Sequence, residues 1–347
     1  FNKVIVIYPT PMTEQNNSNS SNEESQNNNN LPKVFLHVPP KFSFVLPPNP
    51  SHNFHILNPG GLPSLHQFIA ADPHHASSIA AIVCSNVYPV TADLLQLLPS
   101  LRLIFTPTAG TDHVDLSECR RREIQVAGIG NLFSEDVADM AVGLLIDVSR
   151  KISAADRFLR TQLQPSSWDF PLGSKLTGKK IGIVGMGKIG SEVAKRLEAF
   201  SCKISYNSRN KKSSISHPFY SSVLELATNT NVLILCCALN DETRHIVNKQ
   251  VMLALGKGGI IVNVGRGGLI DENELLRCLI DGEIGGAGLD VFENEPHVPK
   301  ELFSLDNVVL SPHAAVLTSE SFNGISKVVE ENLKAFFSNK PLITPVL

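Results

Sequence analysis

Short apolar runs alternate with amphipathic stretches along the chain from Lys33 onward. The runs at 34–38, 81–84, 103–105, 181–184, 204–206, 232–236, 260–264, 288–291 and 308–310 have the length and composition of strands. Between them, apolar residues recur at helical spacing near 91–98, 188–200, 222–227, 249–254 and 272–281. A longer helix is predicted after Asn131, where Val137, Met140, Ala141, Leu144, Leu145 and Val148 share one face. Ser134 is placed to cap it, and Glu135 and Asp136 suit the positive end of its dipole. Residues 319–339 form a further helical stretch. This alternation implies an α/β architecture with parallel sheets.

Ahead of Lys33 the pattern fails. Residues 13–30 hold almost nothing apolar and cannot bury enough surface to offset their ordering entropy. The extension 1–30 is therefore predicted to be disordered, with the run Val4-Ile5-Val6-Ile7-Tyr8 included in it. The chain opens on Phe1 rather than Met, which leaves a preceding targeting segment open, and residues 344–347 do not spell a peroxisomal address.

Composition narrows the choice of partners. A chain of 347 residues, 42 % hydrophobic, is long enough for two domains. Its formal net charge of −3 gives no bulk attraction to nucleic acid or to an acidic membrane surface. No apolar run approaches the ~18 residues of a spanning helix. Neither nucleic acid nor membrane is expected as a partner. Six cysteines are scattered without C-x-x-C spacing, which fits neither a metal site nor a disulfide framework. No metal is expected, and a reducing, cytoplasmic location is. Cys236 and Cys237 lie in an apolar run and are expected to be buried and inert.

Candidate chemistry begins at Gly185-Met186-Gly187-Lys188-Ile189-Gly190, a G-x-G-x-x-G string. Such strings arise by chance, but this one follows the predicted strand 181–184 and opens a predicted helix, the context a dinucleotide fingerprint requires. Gly185 permits the tight turn, Gly187 lets the backbone approach a pyrophosphate, and Gly190 allows close helix–strand packing. Free N–H groups at the helix start then meet the phosphate charge. An NAD-selective site usually places an acidic residue ~20 residues on, at the ribose 2′-hydroxyl. Here the chain reads Asn207-Ser208-Arg209-Asn210-Lys211-Lys212, with no carboxylate. Ser208, Arg209 and Asn210 instead suit a 2′-phosphate, so NADP(H) is expected as the cofactor, with NAD(H) a weaker alternative.

Three later segments end predicted strands on polar residues. Arg266 follows Val264-Gly265, Asp290 closes Gly288-Leu289-Asp290 with Glu295 soon after, and His313 follows strand 308–310. Ligands of open α/β sheets bind beyond the carboxyl ends of the strands, so these residues can converge. Reducing a 2-oxo acid needs a cation for the carboxylate and ketone, which the guanidinium fork of Arg266 offers. It also needs an acid for the carbonyl oxygen, which an imidazole such as His313 provides. A carboxylate such as Glu295, bonded to that imidazole, fixes its tautomer and favours its protonated form.

Taken in order, these segments resemble the D-2-hydroxyacid dehydrogenase family, and within it the plant glyoxylate/hydroxypyruvate reductases. The resemblance runs from about Lys33 to the C-terminus. It is carried by Ala109-Gly110-Thr111-Asp112-His113-Val114-Asp115, Asp136-Val137-Ala138-Asp139, the cofactor turn, Gly265-Arg266-Gly267, Gly286-Ala287-Gly288-Leu289-Asp290 and Ser311-Pro312-His313. It implies two doubly wound parallel-sheet (Rossmann/flavodoxin-like) domains with the active-site cleft between them. Residues 31–130 and 315–347 would form the substrate-binding domain, and 131–314 the NADP-binding domain. It further implies that Arg266 binds the substrate carboxylate and carbonyl, that His313 donates the proton with Glu295 behind it, and that Asp290 helps hold the nicotinamide carboxamide, with Val264 and Gly265 also at the cofactor. The loop holding Asn86 and Val87 would supply donors to the substrate carboxylate. This loop is bulkier than is typical of the family, which leaves the acid open between glyoxylate, hydroxypyruvate and a hydroxyphenylpyruvate-like substrate. Trp168 is either packed or brought across the interface of an expected homodimer, for which the helix after Asn131 is a candidate element. A non-catalytic NAD(P)-sensing corepressor on the same fold and a phosphoglycerate dehydrogenase are the alternatives. The missing regulatory domain and the missing ribose carboxylate weaken the last.

Overall fold

A computed structural model describes residues 31–39, 45–46, 53–58, 65–71, 74, 76–161 and 169–347. The extension 1–30, the run 4–8 within it and Trp168 lie outside the described residues. The first sheet contains β1 (Lys33–His37), β2 (His55–Leu57), β3 (Ile79–Cys84), β4 (Leu103–Thr106) and β5 (Gln125–Gly128), all parallel, in the order β2-β1-β3-β4-β5. Its helices are α1 (Leu65–Ala71), α2 (Ala92–Gln96) and α3 (Leu116–Arg121). Every residue of β3 and β4 is buried. That explains why these strands read as unbroken apolar runs: a parallel strand covered on both faces has no polar side.

Two helices, α4 (Ser134–Arg150) and α5 (Ile152–Thr161), lead to the second sheet. It comprises β6 (Lys180–Val184), β7 (Lys203–Asn207), β8 (Val232–Leu235), β9 (Ile260–Asn263), β10 (Gly286–Leu289) and β11 (Val308–Leu310), in the order β11-β10-β9-β8-β6-β7. A parallel bridge between Tyr206 and Phe219 extends it beyond β7. With that bridge counted, the order becomes 3-2-1-4-5-6-7, the arrangement of a dinucleotide-binding sheet. The first sheet follows the 2-1-3-4-5 order of flavodoxin-like sheets. The helices here are α6 (Lys188–Ala199), α7 (Val223–Thr228), α8 (Lys249–Leu255) and α9 (Glu272–Ile280).

Helix α4 packs on this second sheet, and the sequence of β10 shows why it can. A Cβ on Gly288 would stand 2.9 Å from Cβ of Leu144, and one on Gly286 2.8 Å from Cγ1 of Val148. The two glycines thus admit the apolar face of the helix onto the sheet. Its start differs from the sequence reading. Phe133 occupies the cap position without a side-chain bond, and Ser134 is the first helical residue, its N–H donating to Asn131 O.

The last helix, α10 (Ser319–Phe337), returns to β4 of the first sheet. Ser321 Oγ donates to Asp136 of α4, tying the helices together. Buried Asn332 then accepts from the N–H groups of Ile343 and Thr344, at 3.0 and 3.1 Å. From there residues 344–347 run beside β5, exchanging backbone bonds with Val126 and Gly128. The nine predicted strands are all present; β2, β5, α1, α3 and α5 were not predicted. No helix among the described residues is long and apolar enough to cross a membrane.

Candidate active site

Strand β6 ends at Val184, and Gly185 turns the chain with φ +97°, a left-handed conformation that favours glycine. A Cβ at Gly185 would collide with the backbone of Cys237 at 2.5 Å, and one at Gly190 with Gly185 O at 2.2 Å. At Gly187 no atom lies within 4 Å of where a Cβ would be. Gly187 caps α6 with no side-chain bond, and the space its Cβ would fill is open, so no cap side chain competes for the first N–H groups of the helix. This is the cradle a pyrophosphate needs, and the residues present fit a dinucleotide. Met186 is buried, Ile189 half-buried, and Lys188 exposed at the rim.

The register Val184↔Asn207 places the end of β7 beside this turn. The loop that follows closes on buried Tyr206, whose hydroxyl accepts from Lys212 N at 3.0 Å. Ser208 Oγ donates to Asn210 O at 2.7 Å, leaving Arg209 and Asn210 exposed. Cys236 and Cys237 lie beyond β8 at the same turn and are partly exposed rather than buried. Strand β8 stops at Leu235, but Cys236 N still donates to Val184 O of β6 at 2.8 Å, and the Cys237 backbone stands against Gly185. Burial still pushes both thiols up, Cys237 to about 11.

Arg266, Glu295 and His313 do converge. His313 Nδ1 lies 2.7 Å from Glu295 Oε2. Glu295 Oε1 accepts from Phe292 N at 3.0 Å. Burial alone would raise the Glu295 pKa, but the bonds from His313 and Phe292 and the charges of His313 and Arg266 hold it below the usual carboxylate range. An ionised carboxylate only accepts, so Nδ1 carries a proton and Nε2 is the nitrogen left to exchange one.

The backbone of His313 is itself held in an unusual state, with φ +54°. Its N–H donates to Asp290 O at 2.7 Å. The buried Asp290 carboxylate accepts from Ser311 Oγ, Ala314 N and Ala315 N at 2.6, 2.8 and 3.1 Å. Asp290 thus fixes the loop that carries the imidazole, a role the sequence did not suggest, and one acceptor direction on Oδ2 remains. Asn263, fully buried, does the same for Arg266: its Oδ1 accepts from Gly265 N at 3.1 Å and its Nδ2 donates to Arg266 O at 2.9 Å. An Asn two residues before a Gly at a strand end is a legible signal for such a turn.

Gly267 joins the two halves. A Cβ there would lie 1.9 Å from the carbonyl carbon of Phe292, on the backbone leading to Glu295. Gly267→Ala is expected to destabilise the protein by about 1–3 kcal/mol, because backbone cannot swing aside as a side chain can. A lowered melting temperature checks this; an unchanged one would show that the Phe292 loop yields freely.

Across the cleft, Asp112 pairs with Arg266 at 3.1 Å and brings the carboxyl ends of the two sheets together. The turn holding exposed Asn86 and Val87 follows β3. It adjoins the Asp112 loop through Val90 N donating to His113 O at 2.8 Å. A cleft of about 470 Å³ opens beside it, lined among others by Thr108, Thr111, Asn131, Lys188 and Thr344.

Comparison with known proteins accords with this geometry. Residues 142–315 match the D-isomer specific 2-hydroxyacid dehydrogenase NAD binding domain. The chain is 55 % identical to a glyoxylate/hydroxypyruvate reductase of Arabidopsis thaliana, over 91 % of this chain and 97 % of that protein. It is 43 % identical to a hydroxyphenylpyruvate reductase of Plectranthus scutellarioides, over 82 % and 90 %. Among solved structures, an NADPH-dependent glyoxylate/hydroxypyruvate reductase from Sinorhizobium meliloti, in complex with NADP and malonate, superposes with a TM-score of 0.80 at 33 % identity, covering 91 % of this chain and 96 % of that one. The chain belongs to the D-isomer specific 2-hydroxyacid dehydrogenase family. It is a nicotinamide-dependent oxidoreductase of that class.

Proposed function

We propose that this protein is an NADPH-preferring reductase of small 2-oxo acids, converting glyoxylate and hydroxypyruvate to glycolate and glycerate. The observation that carries this reading is the 2.7 Å bond between His313 Nδ1 and ionised Glu295, with Arg266 close by. The names of the Arabidopsis and Sinorhizobium relatives support the substrate. When bound, the dinucleotide supplies a hydride to the carbonyl carbon. Arg266 holds the substrate carboxylate and polarises the carbonyl, and His313 delivers the Nε2 proton to the carbonyl oxygen. Glu295 stabilises the imidazolium before transfer and keeps the ring oriented afterwards. The free acceptor direction of Asp290 suits the nicotinamide carboxamide, with Val264 and Gly265 beside it. The turn at Asn86 and Val87 covers the substrate.

We assign residues 31–130 and 315–347 to the unit that covers substrate, and 131–314 to the unit that holds the dinucleotide. The return of α10 to β4 and the packing of α4 on the second sheet support that division. A homodimer and a cytoplasmic site complete the reading. Helix α4 is mostly buried within its own chain, whereas Ile152, Leu159 and Leu172 near α5 are 54, 61 and 94 % exposed and offer an apolar face. All six cysteines are unpaired, as a reducing compartment requires.

A kinetic panel of glyoxylate, hydroxypyruvate and hydroxyphenylpyruvate against NADPH and NADH tests the proposal. The small acids with NADPH are expected to give the highest kcat/KM. A preference for hydroxyphenylpyruvate would move the activity toward that of the Plectranthus relative, and no turnover at all would leave a dinucleotide-sensing protein. Arg209→Ala is expected to raise KM for NADPH about tenfold, since one charge-assisted contact to the 2′-phosphate is lost. KM for NADH should stay within about twofold; equal losses for both would show that the loop does not select.

A further inference from the structure

The guanidinium of Arg266 is gripped before any substrate arrives. Its Nε–H is shared between the two carboxylate oxygens of Asp112, at 3.2 and 3.3 Å, and Nη2 stands 3.1 Å from Oδ1. Nη1 donates to Gly265 O at 2.9 Å. Asp112 therefore occupies the Nε side of the fork. Among the described residues no carboxylate sits on the outer edge formed by Nη1 and Nη2, and each of those nitrogens retains an N–H. Two donors side by side are what a carboxylate and its neighbouring carbonyl require.

The surroundings hold Asp112 in place. A Cβ on Gly110 would lie 2.3 Å from Nη2 and 2.6 Å from Asp112 Oδ1, so only glycine leaves room for the pair. On one side of Asp112, Thr106 Oγ1 bonds both Thr108 Oγ1 at 2.6 Å and His113 Nε2 at 2.9 Å, and Thr108 Oγ1 donates to Gly110 O at 2.6 Å. On the other side, Asp115 caps α3 by accepting from Glu118 N at 2.9 Å, while its own N–H donates to Val90 O. Burial would raise the Asp112 carboxyl, but the charge and hydrogen bond of Arg266 outweigh it and keep the group ionised.

We propose that Asp112 is a positioning residue for the reduction: it holds Arg266 by the Nε side so that the Nη1–Nη2 edge meets the substrate carboxylate and carbonyl. Asp112 follows β4 of the first sheet and Arg266 follows β9 of the second. The clamp is thus set only when the two sheets stand as they do here. The inference rests on the substrate-clamping role given to Arg266 above.

The test uses the full-length protein with NADPH and the variants Asp112→Asn and Asp112→Glu. Asp112→Asn removes the charge and replaces one of the two acceptor oxygens that share Nε–H by an amide donor. KM for glyoxylate should rise about 10- to 100-fold with kcat changed less than about tenfold, the scale expected when a substrate-positioning group is misplaced. NADPH dissociation and melting temperature should stay at wild-type values, and Asp112→Glu should recover part of the KM. Oxamate, an unreactive 2-oxo acid analogue, should lose affinity for the NADPH complex by the same factor. An unchanged KM overturns the proposal. So does a lowered KM, which would make Asp112 a competitor for the fork. Parallel losses in NADPH binding and melting temperature would make the residue merely structural and overturn it as well. If the wild type reduces no 2-oxo acid, the functional reading fails, and oxamate binding to wild type and Asp112→Asn still decides the role of Asp112.

Discussion

His313→Ala is expected to lower kcat for glyoxylate by about 10³-fold, within the range that positioned proton donors contribute. The loss should fall on kcat and kcat/KM alike, since the proton moves only in the transition state. About 10³-fold corresponds to roughly 4 kcal/mol, several times what a neutral hydrogen bond contributes to binding. NADPH affinity should not change: His313 hangs from the loop that Asp290 anchors, and the pyrophosphate cradle is built separately at Gly185–Gly190. Stopped-flow NADPH oxidation and NADPH titration together measure this. A variant that loses cofactor affinity and keeps kcat would strip His313 of its role. Glu295→Gln should fall between variant and wild type, because the ring keeps an acceptor at Nδ1 but loses the charge that supports the imidazolium.

Arg266→Lys is the second large effect. Lysine keeps the charge and gives up the planar fork, so it can neither hold the Asp112 side nor present two parallel donors. KM for the 2-oxo acid should rise steeply and kcat/KM fall by about 10²- to 10³-fold, as loss of a bidentate charged contact implies. Arg266→Ala should be worse still, since it leaves Asp112 partly buried without its cation. A lysine variant with wild-type KM would mean that the carboxylate is held elsewhere.

Much of this was legible in the chain itself, for identifiable reasons. Strands such as Ile79–Cys84 and Ile260–Asn263 are covered on both faces, so burial wrote itself into unbroken apolar runs. His55–Leu57 and Gln125–Gly128 escaped because each opens on a polar side chain and leaves no continuous large-apolar run to read. The dinucleotide turn was legible because Gly185 and Gly190 answer local steric demands and Gly187 keeps the space at the helix start open. Arg266, Glu295 and His313 were legible because they stand at strand ends with complementary chemistry. Their partners were not. Asp112 meets Arg266 across 154 positions of sequence, and nothing in the spacing of either loop announces that contact. The sequence points Asp290 toward the cofactor and says nothing of the three acceptor directions with which it serves the loop of His313. Ser134 looked like a helix cap by composition, but the chain enters the helix one residue earlier through Phe133.

Strand β5 ends the first sheet, and an edge strand exposes backbone groups able to recruit a strand from another molecule. Residues 344–347 occupy that edge, with Val126 and Gly128 bonded to Thr344, Val346 and Leu347. The same segment lines the cleft at Thr344. Resistance to aggregation and the shape of this cleft, which reaches Lys188 at the glycine turn, therefore depend on one short stretch of chain. A substitution that loosened this stretch to widen the pocket would also uncover a surface for uncontrolled self-association.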